Sequence, residues 1–251
     1  KVYGELLAWK KDLSHSTLEI TGARQVGKTY LVNKFADQEY KKKIYVNLLE
    51  LSGELFINCY EILWQEMKQG ARYENPVYEL IKRYDPAFED SPDTVVIIDE
   101  IQESAEIYNR IREFTRNLSS DFIITGSYLG RILNDEFKYS AGDLDSVEIQ
   151  TLSFEEFLMA MGKKGLYQSL DLYGGSEPQV YDELEKWYHV YCTIGGYPAV
   201  VLKYMEQGAV IQCQMVLEKI IRLFANESRR YFKDILEYDG YENLFTSVAR
   251  I

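Results

Sequence analysis

The chain has 251 residues, 46% of them hydrophobic, which is enough for one large domain or two modest domains with a buried core. Forty acidic and 28 basic residues give a net charge of −12, which disfavours nucleic acid as a partner unless a local basic face outweighs it. Cys59, Cys192 and Cys213 lie far apart in apolar segments, so we expect reduced, buried thiols and neither disulfides nor a zinc site. Since the chain has no apolar segment of roughly eighteen residues and no secretory signal, we expect a cytoplasmic protein without a membrane partner.

A short apolar strand leads into a phosphate-binding loop near the start of the chain. A helix is predicted over residues 1–14 and a strand over Thr17–Thr21. The sequence then reads Gly22, four further residues, and Gly-Lys-Thr at positions 27–29. A strand before this pattern and a helix after it are the context that a Walker A motif requires.

The residue types of this loop suit a nucleoside triphosphate bound with magnesium. Its glycines let the backbone curl so that consecutive N–H groups point at the α- and β-phosphates. Lys28 supplies a positive charge for the β- and γ-phosphates, and the Thr29 hydroxyl, at the start of a helix, can ligate Mg²⁺. The predicted nucleotide-binding residues form one segment: Gly22, Ala23, Arg24, Gln25, Val26, Gly27, Lys28, Thr29 and Tyr30.

The following elements alternate between strands and helices. The cluster Lys41–Lys43 is interpreted as a solvated turn before a second strand. In this strand the apolar residues Ile44 and Val46 alternate with polar or amphipathic neighbours. A helix with one packing stripe follows, and then a short helix with Asn75 as its cap and Pro76 as its first residue. The stripe comprises Leu55, Cys59, Ile62, Leu63 and Met67.

A buried strand is predicted over Thr94–Asp99, a β-branched run typical of strands covered on both faces of a parallel sheet. Ser104 is the predicted cap of the next helix, and further strands are predicted over Phe122–Thr125 and Val147–Leu152. The alternation predicts a doubly wound α/β sheet with the phosphate loop at the carboxyl edge of its first strand. The stripe of the intervening helix is Ile107, Ile111, Phe114 and Leu118.

Helices replace strands in the last two fifths of the chain. A capping-box pattern occurs at Ser153–Glu156, and the helical stripes beyond it are interrupted by the turn Gly195–Pro198. We therefore predict a P-loop domain over residues 1–155 and a helical domain over 156–251. Because the chain lacks an initial Met and stops inside a helical pattern, we expect a fragment of a longer protein. A long helix around Val210–Tyr238 carries the stripe Leu217, Ile221 and Phe224.

The second half of the nucleotide site is predicted where the buried strand ends. Asp99 is placed to hold magnesium through a water, and Glu100 to polarise the water that attacks the γ-phosphate. Ser127, after the next strand, either senses the γ-phosphate or caps a turn. Asn33–Asp37 is similar to the guanine-reading signature but has one residue too many, which leaves adenine as the expected base.

Five motifs, in order along the chain, together resemble one family. They are Thr21–Thr29, Ile97–Gln102, Ile124–Ser127, Leu152–Leu158 and Gly195–Pro198. The chain is similar to the prokaryotic AAA-type P-loop ATPases, whose longer members carry a C-terminal domain similar to restriction endonucleases. The resemblance implies strand order 5-1-4-3-2, a helical or winged-helix-like second domain, ATP with Mg²⁺, and Ser127 as the first sensor. It leaves open a homo-oligomer, another protein partner and DNA.

The sequence departs from this family in two respects. Many relatives have an arginine in the loop before Leu-Ser-Phe, where this chain has Asp143, and the endonuclease-like domain is missing. Arg24 and Arg131 are candidates for stabilising charge on the phosphates, and structural or surface salt bridges are the alternative for both.

Three functions follow from these residues. The leading hypothesis is a magnesium-dependent ATPase with Glu100, Lys28 and Ser127 as catalytic residues and with Thr29 and Asp99 at the metal. The second is an ATP-gated interaction module with little turnover, in which nucleotide controls the helical domain. A P-loop kinase is the third, and the Asp-Glu pair disfavours it because that pair suits attack by water.

Overall fold

The computed structural model describes residues 1–12, 14–126, 136–138, 144–171 and 173–231, without the side chains of residues 112, 115 and 227–231. The chain divides into two compact units. The first comprises Lys1–Ala23 and Gly27–Ile149, and the second comprises Arg24–Val26 and Gln150–Ile251.

A five-stranded parallel sheet forms the centre of the first unit. Its strands are β1 (Thr17–Thr21), β2 (Lys42–Asn47), β3 (Thr94–Asp99), β4 (Asp121–Thr125) and β5 (Leu144–Glu148). They lie in the order β2-β3-β4-β1-β5, which confirms the expected order 5-1-4-3-2. Because the strands are parallel, the ends of β1, β3 and β4 share the carboxyl edge, where sheets of this kind bind ligands.

Helices cover both faces of this sheet. They are α1 (Val2–Lys11), α2 (Lys28–Glu39), α3 (Leu51–Lys68), α4 (Pro76–Tyr84), a 3₁₀ turn (Ile101–Glu103), α5 (Ala105–Tyr108) and α6 (Ile111–Asn117). Val96 and Ile98 of β3 belong to one hydrophobic cluster with α3, α4 and α6, whereas Val95 and Ile97 alternate to the opposite face. All six residues of β3 are buried, as its β-branched run predicts.

The buried side of the helix α3 differs from the predicted stripe in two of its five residues. Phe56, Tyr60 and Leu63 are buried in the cluster beside the sheet, whereas Leu55 and Ile62 are 51% and 56% exposed. The predicted stripe is therefore wrong in these two residues, although the helix itself is present. Aromatic side chains remove more apolar area from water than Leu or Ile, so the side with Phe56 and Tyr60 turns inward.

Two element boundaries also differ from their predictions. β5 begins at Leu144, three residues before the predicted Val147, and ends at Glu148. Its register with β1 explains this, because Leu144 pairs with Thr17 and Glu148 pairs with Thr21, the last residue of β1. The helix capped by Ser104 divides into α5 and α6. Asn109, at the break, uses its side chain to bond the backbone of Glu136 and Lys138 at 2.9 and 2.8 Å.

Of the lysine cluster, Lys41 lies in the predicted solvated turn before β2, with its side chain 84% exposed, and the other two lysines do not. Lys42 and Lys43 are the first two residues of β2, and they are only about a quarter exposed. Lys43 Nζ lies 2.7 Å from Asp37 of α2, and Lys42 Nζ lies 3.4 Å from Asp85. Lys41 pairs with Asp93. The acidic partners of these lysines therefore hold the start of β2 to the segments around it.

The start of α3 approaches the end of β2 so closely that Gly53 has no room for a side chain. A Cβ at this position would lie 2.4 Å from the carbonyl oxygen of Asn47 and 2.4 Å from Cα of Leu48. Both atoms belong to the backbone, so neither can rotate away. The glycine therefore fixes the distance between this helix and this strand.

Gly53→Ala is expected to destabilise the first unit by about 1 to 3 kcal/mol, because the added methyl group collides with backbone. Gly4→Ala is the matched control. Gly4 is likewise the third residue of a helix, and nothing lies within 4 Å of a Cβ built there. This control is expected to be neutral or to stabilise by up to about 1 kcal/mol. Urea denaturation of both variants measures the difference, and equal stabilities would contradict the close approach.

A buried carboxylate also organises the amino edge of the sheet. Asp121, the first residue of β4, accepts hydrogen bonds from Tyr40 at 2.6 Å and from His15 Nε2 at 2.7 Å. Burial alone lowers the pKa of His15, but its bonds to the Asp12 carbonyl and to Asp121, together with the charges of Asp121 and Asp145, raise it overall. The protonated histidine therefore stabilises the fold.

Because the folded-state pKa of His15 is raised, its contribution to stability is complete below the unfolded pKa of about 6.5 and is lost as the pH rises through the folded value. The free energy of unfolding is expected to fall between about pH 6 and about pH 9 by a component that His15→Gln lacks. Denaturant titrations at both pH values measure it. The control is His189→Gln, since the His189 side chain is 76% exposed; an equal pH dependence in wild type and His15→Gln would contradict the assignment.

The second unit is helical in its described part. Its helices are α7 (Phe154–Ala160), α8 (Lys164–Gln168), α9 (Pro178–Ile194), α10 (Pro198–Gln207) and α11 (Val210–Tyr231). The predicted capping box is present, because Ser153 and Glu156 exchange hydrogen bonds at 3.0 and 3.2 Å. Phe157, Val200 and Ile220 are buried in its core, whereas Ile221, expected in the packing stripe of α11, is 54% exposed.

The cysteines are free thiols in three different environments. Cys213 is buried in the second unit and Cys59 is half-buried, but Cys192 is exposed, so the prediction of burial is wrong for that residue. Among the described residues, no helix is both long enough and apolar enough to cross a membrane.

Candidate functional site

The loop between β1 and α2 has the backbone conformation that the Walker A pattern predicts. Gly22, Gln25 and Gly27 have φ angles of 141°, 63° and 95°. Gly27 is also the residue before the first turn of α2 and is left-handed, a conformation that costs glycine nothing. Alternation of positive and negative φ curls a backbone around an anion, and the start of α2 adds its partial positive charge.

Lys28 lies against this loop. As the first residue of α2, it donates from Nζ to the carbonyl oxygens of Gly22 and Ala23, both at 2.9 Å. These two bonds hold its ammonium group against the loop.

The side chains of Thr29 and Asp99 meet at the carboxyl edge. Thr29 Oγ1, on α2, donates to Asp99 Oδ2, at the end of β3, over 2.8 Å. Asp99 is 2% exposed, so its carboxylate depends on donors from the protein. Sequence reasoning assigned both residues to magnesium, and the fold brings them together although they are 70 positions apart.

Three further donors bond the same carboxylate, and sequence reasoning did not assign two of these residues to the site. Tyr45 of β2 donates to Oδ2 over 2.7 Å, Thr125 of β4 donates to Oδ1, and the backbone N–H of Glu100 donates to Oδ1 over 3.0 Å. Burial and the bond to Asp99 raise the pKa of Tyr45 above its ordinary value, so the phenol keeps its proton and acts as a donor. Alternation along β2 was the available signal for Tyr45, since it faces away from buried Ile44 and Val46.

Glu100 has a left-handed backbone conformation and a hydrogen-bonded side chain. Its φ is 57°, a left-handed conformation that is uncommon outside glycine and that costs about 1 to 3 kcal/mol where it occurs at functional sites. Its Oε2 accepts a hydrogen bond from Gln102 Nε2. Gln102 is 8% exposed and lies beside Gly126, where an added Cβ would be 2.5 Å from Gln102 Oε1. The direction of the Glu100 carboxylate is therefore determined by its neighbours.

The remaining predicted residues do not all join this cluster. Tyr30 is 71% exposed on α2, with its ring 6.0 Å from Lys34 Nζ. Ser127, Arg131 and Asp143 lie outside the described residues. Val26 of the loop is 5% exposed.

Thr29 and Asp99 offer the oxygen ligands that magnesium prefers. Mg²⁺ takes oxygen ligands, keeps several waters, and is usually held by one or two protein groups together with substrate phosphates. A hydroxyl and a carboxylate oxygen 2.8 Å apart, beside the Lys28 loop, match this requirement. In the described part of the chain, no cluster of three or more His, Cys, Asp or Glu offers a separate metal site.

A strand, a curled loop ending in Gly-Lys-Thr and an aspartate at the end of β3 define a P-loop nucleotide-binding domain. Residues 14–158 match the model of a family described as an AAA domain. This match covers more than half of the chain, and the chain belongs to that family. It is a P-loop NTPase of the AAA type.

The solved structures to which the chain is similar include two ORC structures and a helicase. Drosophila ORC bound to DNA is 12% identical with a TM-score of 0.43, and 98% of this chain is covered. The ORC2 protein of Aeropyrum pernix is 14% identical with a TM-score of 0.38 and 96% coverage, and Pif1 helicase of Candida albicans is 15% identical with a TM-score of 0.36 and 72% coverage. The chain spans 65%, 64% and 45% of these three chains, and no curated protein matches it.

Proposed function

We propose that the chain binds ATP with Mg²⁺ and hydrolyses it, and that nucleotide controls the position of a helical domain over residues 156–251. The observation that carries the proposal is the meeting of Thr29 and Asp99 at 2.8 Å, next to the loop that holds Lys28. Membership of the AAA family supports nucleotide binding.

Each residue has a distinct role in the proposed reaction. Lys28 binds the β- and γ-phosphates and the loop amides bind the α- and β-phosphates, and together they stabilise the charge that develops as the bond to the γ-phosphate breaks. Thr29 and Asp99 would hold Mg²⁺, which supplies Lewis-acid stabilisation of the phosphate oxygens when bound. A Glu100 carboxylate oxygen accepts a proton from the attacking water. The oxygen of this water then bonds to the γ-phosphorus while ADP leaves. Ser127 is proposed as a sensor of the γ-phosphate on the resemblance alone.

Adenine is proposed as the base because the side chains of the candidate guanine-reading segment bind a lysine of β2. Asn33 Oδ1 accepts a hydrogen bond from Lys43 at 2.9 Å, and Asp37 pairs with the same lysine at 2.7 Å. Both residues lie on α2 and hold β2.

One observation favours the second function, an ATP-gated module with slow turnover. The carboxylate that would activate water is bonded to Gln102, so Glu100 must leave this partner, or share it, before it can accept a proton. A protein that binds ATP tightly in this arrangement would hold the nucleotide without hydrolysing it. Comparing phosphate release with nucleotide-dependent protection of residues 156–231 separates the two functions.

ATP is the partner on which the proposal rests. A second copy or another protein is a candidate source of the arginine that the loop at Asp143 does not supply. DNA is disfavoured by the net charge of −12, and a shift assay at low and moderate salt tests for it.

Lys28→Ala and Glu100→Gln are expected to separate binding from chemistry. Lys28→Ala removes the phosphate charge partner and should lower hydrolysis by about 100-fold or more, with weaker ATP binding. Glu100→Gln should keep ATP binding and lower phosphate release by about 100- to 10,000-fold. Phosphate release with Mg²⁺ and with EDTA, together with direct binding of ATP, measures both effects.

Lys34→Ala is the matched control, because Lys34 is an exposed lysine on the same helix. It should leave binding and release unchanged. Unchanged turnover in Glu100→Gln would remove Glu100 from the mechanism. ATP binding without release in wild type would support the ATP-gated module instead of the hydrolase.

A further inference from the structure

The carboxylate of Asp99 has no acceptor position left. An ionised carboxylate offers about four lone-pair positions, two on each oxygen. In the described part of the chain, Thr29 and Tyr45 donate to Oδ2, and Thr125 and the Glu100 N–H donate to Oδ1. A water that hydrates a bound cation can therefore donate to Asp99 only if one of these donors withdraws.

Three of the four donors are held in place. The Glu100 N–H belongs to the backbone directly after β3. Thr125 has a short side chain and is fully buried at the end of β4. Thr29 is fixed by the first turn of α2, and its hydroxyl is the proposed ligand of the cation, so it must remain where it is.

Tyr45 is the donor that can withdraw. It lies on β2, at the edge of the sheet, and its side chain is only half-buried. Its hydroxyl is at the end of a long side chain, so a small rotation carries it away from Asp99 Oδ2.

We propose that Tyr45 is a positioning residue that occupies an acceptor position of Asp99 in the metal-free protein and yields it to a water of the cation when Mg·ATP binds. The inference rests on the proposed function. Before Mg·ATP binds, the Tyr45 hydroxyl donates to Asp99 and keeps its carboxylate directed at Thr29. Because this hydrogen bond must break when the cation binds, it weakens cation binding by its own free energy.

The direction of the expected effect follows from this exchange. Without the hydroxyl, Asp99 lacks one donor in the metal-free state but not in the loaded state, where water replaces it. The metal-free state alone is destabilised, so less Mg²⁺ is needed for loading. A residue that merely supports the site would give the opposite result, because its loss would damage the loaded state.

The test is the Mg²⁺ dependence of binding of a fluorescent, non-hydrolysable ATP analogue to the full chain, with Tyr45→Phe as the variant. The Mg²⁺ midpoint is expected to fall about tenfold, in line with the strength of a hydrogen bond to a charged group. The thermal midpoint of the nucleotide-free protein should fall at the same time. Tyr45→Leu, which removes the hydroxyl with a different shape, should shift the Mg²⁺ midpoint in the same direction.

Tyr40→Phe is the matched control. Tyr40 also donates to a buried strand aspartate, Asp121, over 2.6 Å, but at the amino edge of the same sheet. It should lower the thermal midpoint and leave the Mg²⁺ midpoint unchanged. If wild type binds the analogue with Mg²⁺ and the Mg²⁺ midpoint of Tyr45→Phe is unchanged or raised, the inference is wrong. Wild type that binds no analogue overturns the proposed function itself.

Discussion

A carboxylate removed from water needs donors from the protein, and Asp99 obtains them from four separate parts of the first unit. One donor is the backbone of the next residue, Glu100, whereas the other three come from α2, β2 and β4, which are far from Asp99 in sequence and adjacent to it only in the folded sheet. Each of these elements must therefore be in its correct register before the carboxylate is satisfied. The same constraint that stabilises the edge of the sheet also builds the candidate nucleotide site.

This dependence explains which parts of the site could be predicted. The Walker A loop, Asp99 and Glu100 are recognisable because their chemistry is encoded in neighbouring residues: glycines that permit left-handed backbone, then lysine and threonine, or a β-branched strand followed by two acids. Tyr45 and Thr125 carry no such local pattern. Their role arises from parallel pairing with β3. Alternation along β2 places Tyr45 on the face opposite Ile44 and Val46, but it does not distinguish a hydrogen-bond donor from a packing residue.

The fold itself was predictable where local physics and packing agree. Asn75 caps α4 with its own side chain, and Ser153 with Glu156 closes the start of α7, because these bonds lie within a few residues of the chain. Packing faces were less predictable. On α3 and α11 several apolar residues compete for one buried side, and the choice depends on the surface that the rest of the fold presents. The break between α5 and α6 depends on residues 136–138, which are distant in sequence.

The position of β2 has a consequence for self-association. An edge strand presents unpaired backbone groups that a strand of another molecule can extend, and charged side chains are a common protection. Here the first two residues of the edge strand are Lys42 and Lys43, whose ammonium groups are held by Asp85 and Asp37. A second copy that added a strand at this edge would have to accommodate these bound charges. The lysines thus favour a discrete particle over an extended β-aggregate.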